Sequence, residues 1–117
     1  MLTSYQISLV YINENPKYII MFIKSVLITI KIPNSSSLKY KRSVIKSIVD
    51  STQNKFSISF GEIDYLDRNN MSSVGFSIIS NQRKHLVEKE QAIMQFIELK
   101  LLGRGEIINV IYDENKI

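Results

Sequence analysis

Basic residues stand where two predicted helices begin, a position at which acidic residues are usual. The partial positive charge of a helix N-terminus favours acidic side chains by about 0.3–1 kcal/mol each, so cations there oppose local preference. Positions that violate a local preference are enriched in function. The basic residues at or near the two helix starts are Lys39, Lys41, Arg42, Lys46, Arg83 and Lys84.

A serine loop of Ser35, Ser36 and Ser37 precedes the first of these helices. Hydroxyl donors, free backbone N–H groups and cations together bind anions such as phosphate. We expect the strands that lead into the two helices to run parallel, so that both basic starts share one end of the sheet. The sequence therefore predicts a basic rim that binds an anion, with possible contributions from Tyr40 and His85. The alternative is that these long side chains extend into water and bind nothing.

The residues needed for several other chemistries are missing. The chain has no cysteine and one histidine, His85, so we expect no metal site and no cofactor, and place His85 on a helix surface. The expected outward positions on the central strands carry no aromatic pair on which RNA bases could stack. The four glycines are too scattered for a phosphate-binding loop, and no nucleophile accompanies His85. We therefore expect no enzyme activity.

Length, composition and the absence of cysteine predict a single soluble, cytoplasmic domain. The 117 residues suffice for one domain, and 44% hydrophobic content supports a packed core. The most apolar stretch, residues 18–32, is too short to span a bilayer and is interrupted by lysines. Residues 21–60 carry seven basic residues and one acidic residue, which favours an anionic partner, RNA first of all.

Alternating hydrophobic residues predict four strands, and helical spacing predicts two helices. Strands are expected over 26–32, 56–61, 73–78 and 107–112, and helices over 38–54 and 82–101. Ser80 or Asn81 is expected to cap the second helix. Glu90 falls inside the apolar stripe of the second helix, and we expect its carboxylate at the edge of the stripe, in solvent.

The order strand, helix, strand, strand, helix, strand predicts an α+β, ferredoxin-like βαββαβ sandwich. Both helices should cover one face of a four-stranded antiparallel sheet. The expected strand order is 4-1-3-2, with the first and third strands central and parallel to each other.

Two sequence runs resemble the YlxP-like family of small bacterial proteins of unknown function. The more specific run is Ser37-Leu38-Lys39-Tyr40-Lys41-Arg42-Ser43, preceded by Ile32-Pro33 and continuing to Ser47. A weaker match spans residues 74–81. The resemblance covers residues 21–114, implies a ferredoxin-like fold, and brings no assigned activity.

Two features depart from that family. Its members tend to begin near Met21, so residues 1–20 are interpreted as an N-terminal extension or a mis-assigned start, and residues 21–117 as the single domain. Ile7, Leu9 and Val10 could form an extra strand before a turn at 13–16. Family members often carry a tryptophan between the second and third strands, where Asn69 stands here.

The sheet face without helices is a second candidate surface. Its small residues and exposed aliphatics suit close approach of another protein, and a homodimer through the sheets would bury them. The alternatives are a solvated face or a face covered by residues 1–20. The interface candidates are Leu27, Ser59, Gly75, Ile107 and Ile111.

Two hypotheses follow from the sequence. The first is a non-enzymatic protein that binds RNA or the ribosome through the basic rim, by neutralising phosphates in a salt-dependent way. The second is a homodimeric protein-interaction or regulatory domain that uses the open sheet face. An enzyme acting on a phosphorylated small molecule is least favoured, because no general base accompanies the rim.

Overall fold

The structure is a computed structural model, and it describes residues 8–12 and 15–117. Two strands, β1 (Ser8–Ile12) and β2 (Asn15–Ile19), pair with each other as an antiparallel hairpin. The hairpin forms its own two-stranded sheet, separate from the larger one. The expected strand near Leu9 and Val10 is thus present, Ile7 lies outside the described residues, and the expected turn at 13–16 lies partly outside them.

The main sheet has four strands and two helices, which confirms the ferredoxin-like α+β prediction. The order along the chain is strand, helix, strand, strand, helix, strand, and the order across the sheet is β4-β5-β3-β6. This matches the expected 4-1-3-2 arrangement. The elements are β3 (Phe22–Lys31), α1 (Leu38–Phe56), β4 (Phe60–Asp64), β5 (Met71–Ser80), α2 (Arg83–Leu101) and β6 (Glu106–Lys116).

The core lies between the helices and one face of the sheet. Val26, Ile28 and Ile30 alternate with polar or half-buried neighbours along β3 and are fully buried under the helices. Each fully buried aliphatic side chain stabilises the fold by roughly 1.5–3 kcal/mol. The period-two pattern therefore decides which face of β3 is covered.

The central strands run antiparallel, so the expectation of parallel central strands is wrong. β3 pairs with β5 from Phe22 opposite Ser80 to Lys31 opposite Met71. In a split βαβ unit the parallel partners are β3 and β4, and β5 lies between them. Because α1 follows the Lys31 end and α2 follows the Ser80 end, the helices begin at opposite ends of the sheet. Ten residues at about 3.3 Å each separate these ends by roughly 30 Å.

The chain between α1 and β4 also differs from the prediction. The helix continues to Phe56, and Ser57 ends it in the left-handed conformation (φ 52°), where its N–H donates to the Gln53 carbonyl. The strand begins only at Phe60. Phe56, Ile58 and Phe60 all pack against the core, as their alternation predicts. Phe56, however, belongs to the last turn of α1 and not to a strand.

The second helix starts without a side-chain cap. Its N-cap residue is Gln82, and the expected cap residue Ser80 accepts a hydrogen bond from the Gln82 N–H just before the helix. His85 is exposed in the first turn, as predicted. Neither described helix is long and apolar enough to cross a membrane.

Candidate functional site: the open face of the sheet

The predicted basic rim does not exist as one surface. Its two halves stand at opposite ends of the sheet, because the strands that precede the helices are antiparallel. At the α2 end, Arg83 forms a double hydrogen bond with the Glu114 carboxylate of β6, while Lys84 is exposed. At the α1 end, Lys39 is exposed, whereas Lys46 pairs with Asp50 at 2.6 Å. A role of these residues in RNA binding stays a prediction, but they do not converge.

Lys41 is buried, which removes it from any phosphate-binding surface. Its ammonium is wholly inaccessible and donates to Glu62 Oε2 (2.8 Å), the Tyr65 carbonyl (3.0 Å) and the Leu66 carbonyl (3.2 Å). An ammonium has three donors, so every one of them is used. Ser72 Oγ donates to the same Glu62 oxygen at 2.6 Å. Lys41 therefore attaches α1 to the β4–β5 loop, including Tyr65, whose backbone is left-handed (φ 61°).

The serine loop is used by the fold as well. Ser37 is the N-cap of α1, and its hydroxyl accepts from the Tyr40 N–H at 3.1 Å. The Ser35 hydroxyl is largely buried and donates to the Ser37 carbonyl. The Ser36 carbonyl accepts from Asn69 Nδ2 at 3.3 Å, so the residue at the family's tryptophan position ties the loops together. Arg42 lies 3.7 Å from Asp67 of the same loop.

A second buried ion pair contradicts the expectation for Glu90. Its carboxylate does not reach solvent at the edge of the helix stripe but lies 2.5 Å from Lys24 Nζ on β3, and both side chains are largely buried. The Lys24 ammonium also lies 4.7 Å from the centre of the Tyr112 ring. Within the described residues, no cluster of histidine and acidic side chains is arranged to hold a metal ion.

The open sheet face, on the side away from the helices, carries a shallow groove of about 490 Å³. One row across the sheet reads Gly61, Gly75, Leu27 and Ile111, since these residues are opposite one another in successive strands. Glycine at 75 lets its neighbours approach closely: a Cβ there would lie 3.2 Å from Ile63 Cγ1 and 3.4 Å from the Val26 carbonyl oxygen. The groove is therefore lined by the aliphatic side chains of Leu27, Ile63 and Ile111 and by the backbone at Gly61 and Gly75.

Polar side chains on both sides of that row are hydrogen-bonded to each other. Ser25 Oγ and Ser77 Oγ are 2.7 Å apart, and Thr29 Oγ1 and Ser73 Oγ are 2.8 Å apart. These pairs join β3 to β5 directly across the strands. Each pair shares one hydrogen bond, so one oxygen donates, the other accepts, and one hydroxyl hydrogen of each pair is left for water or a partner.

Four of the five predicted interface residues line the groove: Leu27, Ser59, Gly75 and Ile111. Ile107 does not, because a register shift between Thr29 and Ile30 changes the side of the sheet that it occupies. It is opposite Ile30 and packs against the core. A β-bulge inserts one residue and so reverses the alternation, which simple period-two counting from Ile111 misses.

Ile63 is the groove residue that sequence reasoning missed. It is the extra residue of an irregularity between Glu62 and Asp64, and 59% of it is exposed. Its spacing of two from Gly61 was the available signal, since the two positions share a face in a regular strand. The strand continues to Asp64, beyond the predicted end at Gly61, and so includes Ile63.

Comparison with known proteins agrees with the predicted family and adds no activity. A family model described as "Protein of unknown function (DUF503)" matches residues 23–110. "Uncharacterized protein YlxP" of Bacillus subtilis (strain 168) is 37% identical over 65 residues, which cover 56% of this chain and 71% of that protein. Among solved structures, the "De novo designed protein Foldit4" has a TM-score of 0.48 at 14% identity, covering 80% of this chain and 96% of that one. The chain belongs to the DUF503 family of proteins of unknown function.

Proposed function

We propose that the protein is a non-enzymatic interaction domain whose open sheet face binds a second copy of the chain. The observation that carries this proposal is the row of Gly61, Gly75, Leu27 and Ile111, an uncharged apolar strip across all four strands. Exposed apolar surface with a defined shape is typical of interaction sites.

The paired hydroxyls reduce the free energy needed to bury this face. A polar group transferred from water without a partner costs about 1–3 kcal/mol. The Ser25–Ser77 and Thr29–Ser73 pairs retain their hydrogen bonds when a partner excludes water from them. Burying the polar residues of this face therefore costs less free energy than burying the same hydroxyls unpaired.

Charge favours a second copy as the partner. An interface with two-fold symmetry brings each patch near its own duplicate, so a charge close to the axis meets a like charge. On the two central strands, the rows that contain Ser25, Leu27 and Thr29 carry only serine, threonine, glycine and leucine on the open face. The carboxylates in these rows, Asp64 and Asp113, lie on the two edge strands, away from the centre of the face. The outer face of α1, in contrast, presents Lys39, Arg42 and Lys46 and would repel its duplicate.

The size of the face suits a modest interface. One strand of five residues, two of ten and one of eleven, spaced about 4.8 Å apart at about 3.3 Å per residue, give roughly 600 Å² per copy. A standard interface takes about 800 Å² from each partner. We therefore expect reversible association in the micromolar range rather than an obligate dimer.

The test is the mass of the protein in solution by sedimentation velocity across a concentration series. Ile63→Asp and Leu27→Asp should each halve the mass of the associated species, because each places a carboxylate in the groove. Leu99→Asp is the matched control, since Leu99 is a similarly exposed aliphatic residue (67%) on α2. Circular dichroism should show the same secondary structure in all four proteins.

Two results would contradict the proposal. One is a wild-type chain that stays monomeric up to about 1 mM, well above the expected dissociation constant. The other is an associated species that loses mass with Leu99→Asp but not with Ile63→Asp. Ile63 is exposed, so a folding defect is not expected to mask the comparison.

A further inference from the structure

The two edges of the main sheet differ in how they are protected. β4 is only five residues long, which discourages pairing with another strand, and both edge strands contain one irregularity, at Ile63 in β4 and at Ile108 in β6. β6 is eleven residues long, and its middle, residues 107–112, is an uncharged run without proline or glycine. Within the described residues, no strand pairs with the outer side of β6. An edge of this kind is a template for strand addition.

The direction of the backbone groups of β6 follows from its pairing with β3. Met21 and Ile117 exchange both N–H···O bonds, at 2.9 and 2.7 Å, so Ile117 directs its polar groups toward β3. In an antiparallel pair the N–H and C=O groups of successive residues point alternately toward the partner strand and away from it. The register of Ser25 opposite Asp113 and Leu27 opposite Ile111 therefore leaves the N–H and C=O of Val110 and Tyr112 directed outward.

We infer that two copies of the chain pair through their β6 edges, antiparallel, about a two-fold axis at Ile111. Ile111 is the middle residue of Glu106–Lys116, and this register pairs the regular segment Asn109–Asp113 of the two copies before it reaches the bulge at Ile108. It makes Val110 of one copy and Tyr112 of the other a pair that exchanges both backbone hydrogen bonds. The two sheets then join into one of eight strands.

The side chains that meet in this register are complementary. Ile111 faces its own duplicate on the open side, and Val110 faces Tyr112 on the helix side, an aliphatic–aromatic pairing that stabilises sheets. Asn109 and Asp113 lie on the open side, opposite Thr29 and Ser25 of β3. Across the axis the Asn109 amide meets the Asp113 carboxylate of the other copy, a donor with an acceptor. A shift to an axis at Asp113 would instead bring two carboxylates together.

This contact is independent of the proposed face contact, and the two are compatible. The two-fold axis of the β6 edge contact is perpendicular to the sheet and passes through the row that contains Leu27 and Ile111. If the two-fold axis of the open-face contact runs parallel to that row, above the sheet, the two axes intersect at a right angle. The assembly then closes at four copies with D2 symmetry. A molecule using both contacts is then a tetramer, and a molecule using one of them is a dimer.

A single cysteine at the axis tests the edge contact. Ile111 and its duplicate form a non-hydrogen-bonded pair with Cα atoms about 4.5 Å apart, within the range of a disulfide. The chain contains no cysteine, so Ile111→Cys introduces the sole thiol. Under oxidised glutathione it should form a covalent dimer at least tenfold faster than Leu99→Cys. Adding Ile63→Asp, which removes the face contact only, should leave that rate unchanged.

A proline tests the backbone bonds. Tyr112→Pro removes an outward N–H and leaves the ladder with β3 intact, whereas Tyr112→Val keeps the N–H and serves as the control. Tyr112→Pro should halve the mass of the associated species and Tyr112→Val should not. Equal masses for these two variants, or equal oxidation rates for Ile111→Cys and Leu99→Cys, would overturn the edge contact. The face contact would stand or fall separately with Ile63→Asp.

Discussion

The two faces of the sheet differ in where their charges and their apolar groups lie. The face under the helices contains two buried lysine–glutamate pairs, Lys41–Glu62 and Lys24–Glu90, beside the aliphatic core. The open face has exposed aliphatic residues and hydroxyls that bond each other. The difference indicates that several of the charges hold the fold together, whereas the apolar surface remains available for binding.

The largest effect on the free energy of unfolding is expected at Lys41, on the helix side of the sheet. Lys41→Met should lower the free energy of unfolding by about 3–5 kcal/mol, because it leaves the Glu62 carboxylate without its counter-charge and two loop carbonyls without their donor. Urea denaturation measures the change. The double variant Lys41→Met with Glu62→Leu should recover part of the loss, since it removes both charges. A loss below 1 kcal/mol in the single variant would show that the pair does not stabilise the fold.

The second ion pair on the helix side should matter less. Lys24→Met is expected to lower the free energy of unfolding by about 2 kcal/mol, the range of one hydrogen bond to a charged group. Lys24 contacts one carboxylate and an aromatic ring, and part of its side chain reaches water. Urea denaturation of Lys24→Met and Lys41→Met under the same conditions ranks the two losses of stability. A larger loss in Lys24→Met than in Lys41→Met would contradict the expected order.

The open face should respond in the opposite way, with association changing and stability hardly changing. Gly61→Thr adds a side chain where no other atom lies within 4 Å of the new Cβ. Because threonine suits a strand better than glycine, we expect the free energy of unfolding to rise by about 0.5 kcal/mol. The added atoms occupy the groove, so the dissociation constant of the dimer should rise about tenfold, or 1.4 kcal/mol.

Sedimentation velocity and urea denaturation on the same Gly61→Thr sample separate the two effects. Gly103→Ala is a useful comparison, because Gly103 has φ +76° and lies away from the groove. It should destabilise the chain by about 1 kcal/mol without changing association. If Gly61→Thr loses stability and keeps its association, the groove is not the interface.

The sequence was sufficient for those parts of the fold that depend on local pattern. Val26, Ile28 and Ile30 identified the buried face of β3, and the order of elements gave the sheet topology. The environment of Lys41 was not accessible in this way, because its burial depends on Glu62, which lies 21 residues away along the chain. From sequence alone, a lysine in a helix is expected to be exposed unless its ion-pair partner is known.

The candidate site was only partly predictable, for two physical reasons. Ile107 and Ile63 lie beside irregularities, and one inserted residue reverses which side of the sheet the following residues occupy. The basic rim failed for a topological reason, since the relative direction of β3 and β5 decides whether two helix starts meet. The first error is local, because an inserted residue leaves no mark in the alternation of the sequence, whereas the second concerns the relative direction of two strands far apart in the chain.

The smallest effects should come from the exposed cations at the two helix starts. Lys39→Glu and Lys84→Glu should each change the free energy of unfolding by less than about 0.5 kcal/mol and leave the mass of the associated species unchanged. Because the helix starts are roughly 30 Å apart and charges are screened over about 8 Å at physiological salt, the two variants should act independently. Retention on immobilised RNA at that salt should be equal in both variants and the wild type. A loss of retention confined to the Lys39→Glu variant would instead assign an anion site to the start of α1 alone, and a loss greater than additive in the double variant would restore a shared site.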